Sequence, residues 1–390
     1  MPGPTTRPKI TTDVPTAAKA ASRSTGTVLT IDLDAIARNY RHLQSRSPNT
    51  ACAAVVKADA YGLGATTVAP ALAAAGCETF FVAHLGEALA LRPLLPGATI
   101  CVFNGFAPGA QGEFIENDLV PVLNSLEALE HWTGVTRTKG PLPALLHYDT
   151  GMSRLGLSDE ELGRIVDDPG LLAGVDILWF MSHLAVADEP DRDLNKLQLE
   201  RFGAARARLP AMKASLANSS GIFLGPDYHF ELVRPGAALY GVNPTPGQAN
   251  PVDPVVSLQA PILQLREIDS PRSVGYGASH SVTKPTKIAT IAVGYADGYL
   301  RSLSNRGRCY VGRYELPVVG RVSMDLVTLD ASTLPNDLAK AGTMVDVISA
   351  RHPVDAVAED AGTIAYEILT GLGARYTRRY IGGPGLGGTT

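Results

Sequence analysis

The chain reads ACAAVVKADAYGLG over residues 51–64, an apolar run that ends at Lys57 and is followed by a turn with two glycines. A short apolar run bounded by a turn is typical of a buried strand. Lysine is rarely buried, because removing its charge from water is costly. The position of Lys57 therefore predicts a reactive amine at a strand end, and the plain alternative is a lysine that reaches past the strand edge to solvent.

The run before Lys57 belongs to a series of eight short apolar runs between residues 28 and 241. The eight runs are 53–58, 80–83, 100–103, 120–123, 144–148, 177–181, 214–218 and 232–240. Stretches between several of them have helical patterns, and these are 67–75, 86–95, 125–132, 158–166 and 191–209.

Strands that alternate with helices predict βαβ units and a parallel sheet. Eight units predict a closed (β/α)8 barrel of the α/β class, with an open doubly wound sheet as the alternative. The carboxyl ends of barrel strands form the active-site face, which is where Lys57 would lie.

The pattern changes after Pro244, where four prolines are followed by alternating runs rich in β-branched residues. These runs are 262–268, 288–293, 309–311, 318–322, 326–329 and 344–348. They predict a mainly antiparallel β domain. We expect a disordered tail over residues 1–25, the barrel over 26–250 and the C-terminal β domain over 251–382.

Composition excludes several classes of protein. The 390 residues are 45% hydrophobic and 18% charged, and 34 basic against 38 acidic residues give a net charge of −4, which argues against non-specific nucleic-acid binding. No apolar run reaches the roughly 18 residues of a membrane span, and the tail lacks the apolar core of a secretory signal. None of the four cysteines forms a C-x-x-C pair, so no zinc site of that type is expected. We expect a cytoplasmic protein whose partners are small molecules, with no membrane or nucleic-acid partner.

Seven motifs resemble those of the alanine racemase family and occur in the family's order. They lie at residues 57–64, 147–156, 217–220, 233–241, 293–299, 319–325 and 365–368. The resemblance covers about residues 28–380. It implies a barrel that binds pyridoxal 5′-phosphate, a following β domain and a head-to-tail homodimer, which agrees with the pattern of strands and helices.

The resemblance implies two catalytic residues. Lys57 would carry the cofactor as a Schiff base and then act as base or acid at the α-carbon of the substrate. Tyr295 of the partner subunit would do so on the opposite face, and two groups on opposite faces suffice for racemisation. A phenol is a poor base at neutral pH, so this role needs nearby positive charge. The plain alternative for Tyr295 is a core aromatic of the β domain.

Two further residues would contact the cofactor ring. Arg234 would face the pyridine nitrogen, and because a guanidinium keeps its proton, the ring would stay unprotonated and be a weaker electron sink. His183 resembles a family histidine beside that arginine, with a purely structural histidine as the alternative.

The phosphate site follows from the barrel, since phosphates bind at the loops after strands seven and eight. The Ser219 side chain and the amides of Gly236 and Ala237 would donate to it, although small residues there also suit ordinary turns. The resemblance adds the phenols of Tyr61 and Tyr366.

For the substrate carboxylate, the resemblance implies Arg154 and the backbone amide of Met324, with a surface salt bridge as the alternative for Arg154. Tyr295, Met324 and Tyr366 would wall a pocket small enough to favour alanine. One departure stands out, because many family members have a carbamylated lysine at the position of His147. Arg154 would then be positioned by His147 itself, by a bound anion or by another carboxylate.

The leading hypothesis is an alanine racemase that supplies D-alanine for peptidoglycan. A racemase of serine or another amino acid on the same fold is the alternative. A decarboxylase of similar architecture normally pairs the pyridine nitrogen with an acid, so Arg234 argues against it. A pyridoxal phosphate homeostasis protein has a single barrel, so the β domain with Tyr295 and Met324 argues against that class.

Overall fold

The computed structural model describes residues 26–269 and 271–383. The tail predicted at residues 1–25 lies outside the described residues. The chain begins with strand β1 (Val28–Asp32) and helix α1 (Leu33–Arg46), whose first turn is capped by the Asp32 carboxylate. Among the described residues, no helix has the length and apolar character needed to cross a membrane.

The barrel strands follow the predicted runs closely. They are β2 (Ala51–Cys52), β3 (Ala54–Val55), β4 (Thr79–Val82), β5 (Thr99–Val102), β6 (Leu119–Leu123), β7 (Leu142–His147), β8 (Val175–Met181), β9 (Ala214–Ser215) and β10 (Leu232–Val233). Strands β3 to β9 form one parallel sheet in chain order, and β10 pairs in parallel with β2.

Backbone hydrogen bonds close this sheet into a barrel. The amides of Glu231 and Arg234 donate to the carbonyls of Ala214 and Ala217, which joins β10 to β9. The Ala53 amide donates to Val233, so β2 and β3 act as one strand between β10 and β4. The predicted (β/α)8 barrel is confirmed. The last predicted strand was too long, because Pro235 and Gly236 end it and residues 237–240 form a 3-10 helix.

Helices connect the barrel strands. They are α2 (Lys57–Gly62), α3 (Ala65–Ala74), α4 (Leu85–Leu91), α5 (Gln111–Glu116), α6 (Leu126–Lys139), α7 (Asp159–Asp167) and α8 (Asp193–Ala207). A capping box begins α7, since Ser158 and Glu161 each accept from the other's amide. Helix α6 runs beyond the predicted end at 132, continues through Gly134 and ends before Gly140, which has a φ of 90°.

The second domain is built around the 13-residue strand β11 (Val256–Ile268). Its other strands are β12 (Arg272–Val274), β13 (His280–Val282), β14 (Thr286–Ile291), β15 (Arg308–Val311), β16 (Tyr314–Pro317), β17 (Val327–Asp330), β18 (Met344–Ile348) and β19 (Thr377–Ile381). The first part of β11 pairs antiparallel with β1 and β18, and the second part pairs antiparallel with β14. The predicted mainly antiparallel domain is confirmed.

Three features of this domain differ from the sequence pattern. Strand β1 falls in the range predicted for the barrel, yet it pairs with β11 and β19. Of the run predicted at 318–322, only Val318 bridges to a neighbouring strand. Helices α9 (Val354–Ala361) and α10 (Ala365–Thr370) were not predicted. The boundaries at residues 250 and 382 remain predictions.

Candidate active site

Lys57 follows β3 at the carboxyl end of the barrel, where the chain turns with the opposite hand to an ordinary helix. Ala58, Asp59, Ala60 and Tyr61 all have φ between 52° and 55° and ψ between 39° and 51°. For a residue with a Cβ, this left-handed conformation is about 1–2 kcal/mol less favourable than the right-handed one. Contacts from elsewhere in the protein must therefore hold the turn.

Two parts of the molecule supply these contacts. On the barrel side, the carboxylate of Glu87 in α4 accepts the Ala58 amide at 2.6 Å. On the β-domain side, Arg378 donates to the carbonyl of Gly62 at 2.6 Å and the Tyr380 hydroxyl donates to that of Leu63 at 2.9 Å. The turn after Lys57 is thus held by both domains of its own chain.

The Lys57 side chain faces a cavity of about 380 Å³ that contains eight of the predicted site residues. These are Lys57, Tyr61, Arg154, His183, Ser219, Arg234, Gly236 and Ala237, and a ninth, Tyr366, lines it from α10. The Lys57 Nζ atom lies 5.7 Å from the centroid of the Phe103 ring. Burial, and then the charge of Arg154, lower the pKa of Lys57, whereas the charge of Glu87 raises it.

Arg234 is buried beneath the cavity. Its Nη1 donates to the Ser215 hydroxyl and its Nη2 donates to the Ser182 carbonyl at 2.6 Å. Its Nε is buried and has no partner within the described part of the chain. Burial lowers the pKa of Arg234 to about 10, so the guanidinium is charged at neutral pH. Burial, and then Arg234 and other nearby cations, hold the pKa of His183 well below its ordinary value, so this imidazole is neutral.

One end of the cavity is shaped by Ser219 and Gly236. The Ser219 Oγ accepts the amides of Gly236 at 2.9 Å and Ala238 at 3.2 Å, which leaves its hydroxyl proton free to donate elsewhere. The Gly236 amide, predicted as a phosphate donor, is therefore bound to Ser219 in this structure, while the Ala237 amide makes no hydrogen bond among the described residues. A Cβ on Gly236 would collide with the Tyr61 hydroxyl.

Two phenols complete this end of the cavity. The Tyr61 ring packs against that of Tyr240, with 4.8 Å between centroids, and lies 6.0 Å from that of Tyr366. Burial raises the pKa of Tyr366 and, more strongly, that of Tyr61, so both phenols keep their protons at neutral pH. Both can act as hydrogen-bond donors.

His147 and Arg154 line a second cavity of about 320 Å³ that also reaches Lys57. The Asn124 amide group donates to two backbone carbonyls, those of Phe103 and Val122. Its Oδ1 therefore accepts from the Nδ1 of His147 at 2.7 Å, and the Nε2 of His147 carries no proton. Burial, and then Arg234, lower the pKa of His147 to about 4, which keeps the ring neutral. Arg154 forms no ion pair with any described residue.

Tyr295 and Met324 do not line either cavity around Lys57 of their own chain. They lie together on the β domain, because the amides of Tyr295 and Ala296 donate to the carbonyls of Ser323 and Met324. Both side chains are exposed, Tyr295 at 42% and Met324 at 54%. The Tyr295 alternative of a core aromatic therefore does not fit the structure.

Arg375 fixes this second cluster. It donates to Asp297, beside Tyr295, at 2.6 Å and to Asp325, beside Met324, at 2.7 Å. The Met324 amide makes no hydrogen bond among the described residues. The structure thus divides the predicted site residues into a group that lines the cavities around Lys57 and an exposed pair on the β domain that lies outside them.

Sequence reasoning missed several residues of the site. Glu87 reads as an ordinary acidic residue in the first turn of a helix, and Asn124 reads as a loop residue after a strand. Arg378 and Tyr380 lie more than 310 residues from the turn that they hold. Position after a barrel strand is a signal that could have identified Asn124, whereas nothing local marks the other three.

These features define a class of protein, a barrel with a half-buried lysine of lowered pKa at a strand end and a β domain that contributes to the same face. Comparison with known proteins agrees. The N-terminal domain model of alanine racemases matches residues 31–244, and the C-terminal domain model matches residues 255–380. The chain belongs to the alanine racemase family.

Curated relatives are similar over most of their length. The alanine racemase of Rhodospirillum rubrum is 52% identical over 91% of this chain and 96% of its own. That of Brucella suis is 49% identical over 91% of this chain and 94% of its own. Alanine racemases are pyridoxal phosphate enzymes, so family membership confirms the predicted class of enzyme and its cofactor.

Solved structures show the same fold. Alanine racemase from Bartonella henselae, described with covalently bound pyridoxal phosphate, superposes with a TM-score of 0.88 at 44% identity and covers 91% of this chain and 99% of its own. The biosynthetic alanine racemase of Pseudomonas aeruginosa gives a TM-score of 0.86 at 36% identity over 91% of this chain and 99% of its own.

Proposed function

We propose that this protein interconverts L- and D-alanine with pyridoxal phosphate bound to Lys57, and that Tyr295 of the partner subunit completes each site. The observation that carries the proposal is the Lys57 amine, which lies at a strand end with a lowered pKa and faces a cavity that holds the other predicted cofactor contacts. A lowered pKa leaves more of the amine neutral at neutral pH, and the neutral amine is the nucleophile toward a carbonyl.

The cavity fits the cofactor at both ends. Gly236 leaves room that a Cβ would fill, and the Ser219 proton and the Ala237 amide are available to a phosphate there. The buried Nε of Arg234 has no partner and carries a proton, so it can donate to the ring nitrogen of a bound pyridine. Such an orphaned buried donor is costly unless a ligand accepts from it.

When bound, pyridoxal phosphate stabilises negative charge at the α-carbon of an attached amino acid. The residues of the chain have to move protons to and from that carbon. The Lys57 amine would take or give the proton on one face, and the partner's Tyr295 would do so on the other. Because Arg234 keeps its proton, it does not protonate the ring nitrogen, which limits the charge drawn into the ring and favours return of the proton to the α-carbon.

The substrate carboxylate would be bound by Arg154 and by the free amide of Met324 from the partner subunit. Arg154 lines both cavities and has no acidic partner among the described residues, so its charge is available. We propose that the unprotonated Nε2 of His147 helps to position that guanidinium in place of the family's modified lysine. The side chains of Tyr366 and of the partner's Tyr295 and Met324 would limit the pocket to small substrates.

The proposal requires a homodimer. Tyr295 and Met324 are exposed and lie outside the cavities of their own chain, so they can act only in a second copy. The exposed Ile364 and Leu326 of the same domain suit burial in an interface between copies. We further propose a cytoplasmic enzyme that supplies D-alanine for peptidoglycan, in keeping with four buried cysteines that are all free.

Chiral chromatography tests the proposal. Purified protein with added pyridoxal phosphate is incubated with each L-amino acid in turn, and both enantiomers and any amine product are measured. We expect rapid interconversion of alanine. Preferential racemisation of serine or a larger amino acid would overturn the substrate assignment, and release of the decarboxylated amine would overturn the reaction.

A further inference from the structure

The carboxylate of Glu87 lies between the ends of two neighbouring barrel strands. Its Oε1 accepts the amide of Ala58, the residue after Lys57, at 2.6 Å. Its Oε2 accepts the amides of Ala83 at 2.7 Å and His84 at 3.1 Å, which follow β4. One side chain therefore joins the segment that carries Lys57 to the end of the adjacent strand.

This contact is placed where the backbone needs support. Ala58 is the first of four consecutive residues with left-handed φ, and none of the four is a glycine. A short turn of this kind does not form spontaneously, because each Cβ clashes with its own backbone. A charged acceptor makes a stronger hydrogen bond to an amide than a neutral one, so a carboxylate is well suited to hold the first residue of the turn.

A simpler role accounts for only two of these three hydrogen bonds. Glu87 stands three residues after His84, the residue that precedes α4, and an acid at that position commonly accepts the amide at the helix start. That role explains the bonds of Oε2. It does not explain why Oε1 accepts the amide of Ala58, which lies 29 residues earlier in the chain.

Charge supports the same conclusion. Burial and Arg154 lower the pKa of Lys57, and Glu87 is the acid that acts against them. The carboxylate is therefore close enough to influence the lysine amine as well as its backbone.

We propose that Glu87 is a positioning residue for Lys57, and that its carboxylate holds the left-handed turn that directs the lysine amine into the cavity. The catalytic consequence rests on the proposed function, whereas the structural consequence does not. Glu87 touches neither of the reacting groups that we assign, so its effect would pass through Lys57.

Hydrogen exchange of the full-length protein tests the structural part. Glu87→Gln removes the charge and leaves one oxygen, which cannot accept on both sides. The matched control is Glu127→Gln, an exposed acid in the first turn of α6. We expect the exchange rate in peptides covering residues 57–62 and 83–85 to rise by about tenfold or more in Glu87→Gln and not in Glu127→Gln. A hydrogen bond to a charged group stabilises a protein by more than the roughly 1.4 kcal/mol that corresponds to a tenfold change in an equilibrium constant.

Enzyme kinetics test the functional part. In Glu87→Gln we expect kcat for alanine to fall by about tenfold or more while KM changes little. The substitution displaces Lys57 but leaves in place the residues proposed to bind the substrate carboxylate. The pH below which kcat falls should also shift downward, because removing a nearby negative charge lowers the pKa of Lys57. Glu127→Gln should leave kcat, KM and the pH profile unchanged.

Glu87→Asp serves as a second variant and also covers a failure of Glu87→Gln to fold. It keeps the charge but is one methylene shorter, so it cannot span both strand ends. Faster exchange at residues 57–62 in the Asp variant supports the proposal. Unchanged exchange there in both variants, or faster exchange confined to residues 83–85, would show that Glu87 only caps α4.

The parent protein separates this inference from the proposed function. If the parent does not racemise alanine, the proposed function fails, yet the exchange experiment still decides whether Glu87 holds the turn. If the parent is active and Glu87→Gln retains its kcat and its pH profile, the positioning role is wrong and the proposed function stands.

Discussion

The turn after Lys57 and the cluster of Tyr295 and Met324 differ in the contacts that hold them and in their exposure to solvent. The turn is held by Glu87 from the barrel and by Arg378 and Tyr380 from the β domain, all in one chain. Tyr295 and Met324 are fixed to each other but face solvent. With the roles proposed above, one chain supplies all of the contacts to the cofactor but only part of the contacts to the substrate.

The largest loss of activity should come from substitution of Lys57. We expect Lys57→Ala to lower racemase activity by at least about a thousandfold, because it removes both the cofactor link and one proton-transfer group. Borohydride reduction followed by peptide mapping should find pyridoxyl on Lys57 in the parent and on no lysine in the variant. Labelling of a different lysine in the parent would end this assignment.

The Tyr295 half should give a smaller loss that a second chain can repair. We expect Tyr295→Phe to lower activity by about a hundredfold or more, with pyridoxal phosphate still bound. Mixing it with Lys57→Ala should restore activity to about a quarter of the parent's, since half of the dimers are mixed and one of their two sites is intact. No recovery after subunit exchange would show that the two residues do not meet across an interface.

Gly236→Ala should weaken cofactor binding without affecting the contact between subunits. The added Cβ would meet the Tyr61 hydroxyl and fill the cofactor end of the cavity. We expect about a tenfold or greater loss of pyridoxal phosphate affinity, measured by fluorescence titration, with an unchanged dimer in sedimentation. The control is Gly134→Ala, since a Cβ at Gly134 would meet nothing within 4 Å. Equal affinities for the two variants would contradict the assigned phosphate end.

His147 should give the smallest effect, seen in stability. Its folded pKa is about 4, below the ordinary 6.5, so the unfolded chain binds a proton first as pH falls. Stability linked to His147 is therefore present above about pH 6.5 and is lost as pH falls toward 4, amounting to roughly 2 kcal/mol between pH 7 and pH 5. His147→Asn can still donate to Asn124. Between pH 7 and pH 5, we expect the free energy of unfolding of this variant, measured with urea, to fall by roughly 2 kcal/mol less than that of the parent. An unchanged pH dependence would contradict a buried neutral His147.

The sequence predicted the repeating units of the barrel because each strand and helix carries its own local pattern. It also placed Lys57 at a strand end, because a charged residue after an apolar run is unusual. The left-handed turn could not be predicted, since its residues Ala58 to Tyr61 include no glycine. Its supports are distant in sequence, and Glu87 and Arg378 become neighbours of the turn only in the folded chain.

The neighbours of strand β1 could not be predicted for the same reason. Its three central residues are all buried, which suits either sheet, and only the pairing with β11 and β19 decides between them. The roles of the individual site residues stay predictions, although eight of them line one cavity with Tyr366.

The parallel pairing of β1 with β19 sets an order of events during synthesis. Residues 28–32 leave the ribosome first, yet they must wait for residues 377–381 before that edge of the sheet can form. The same late strand carries Arg378 and Tyr380, so the turn beside Lys57 acquires its second support only when nearly the whole chain has been made. A nascent chain that stops before β19 would therefore contain every barrel strand and yet lack the β-domain hydrogen bonds to the turn after Lys57.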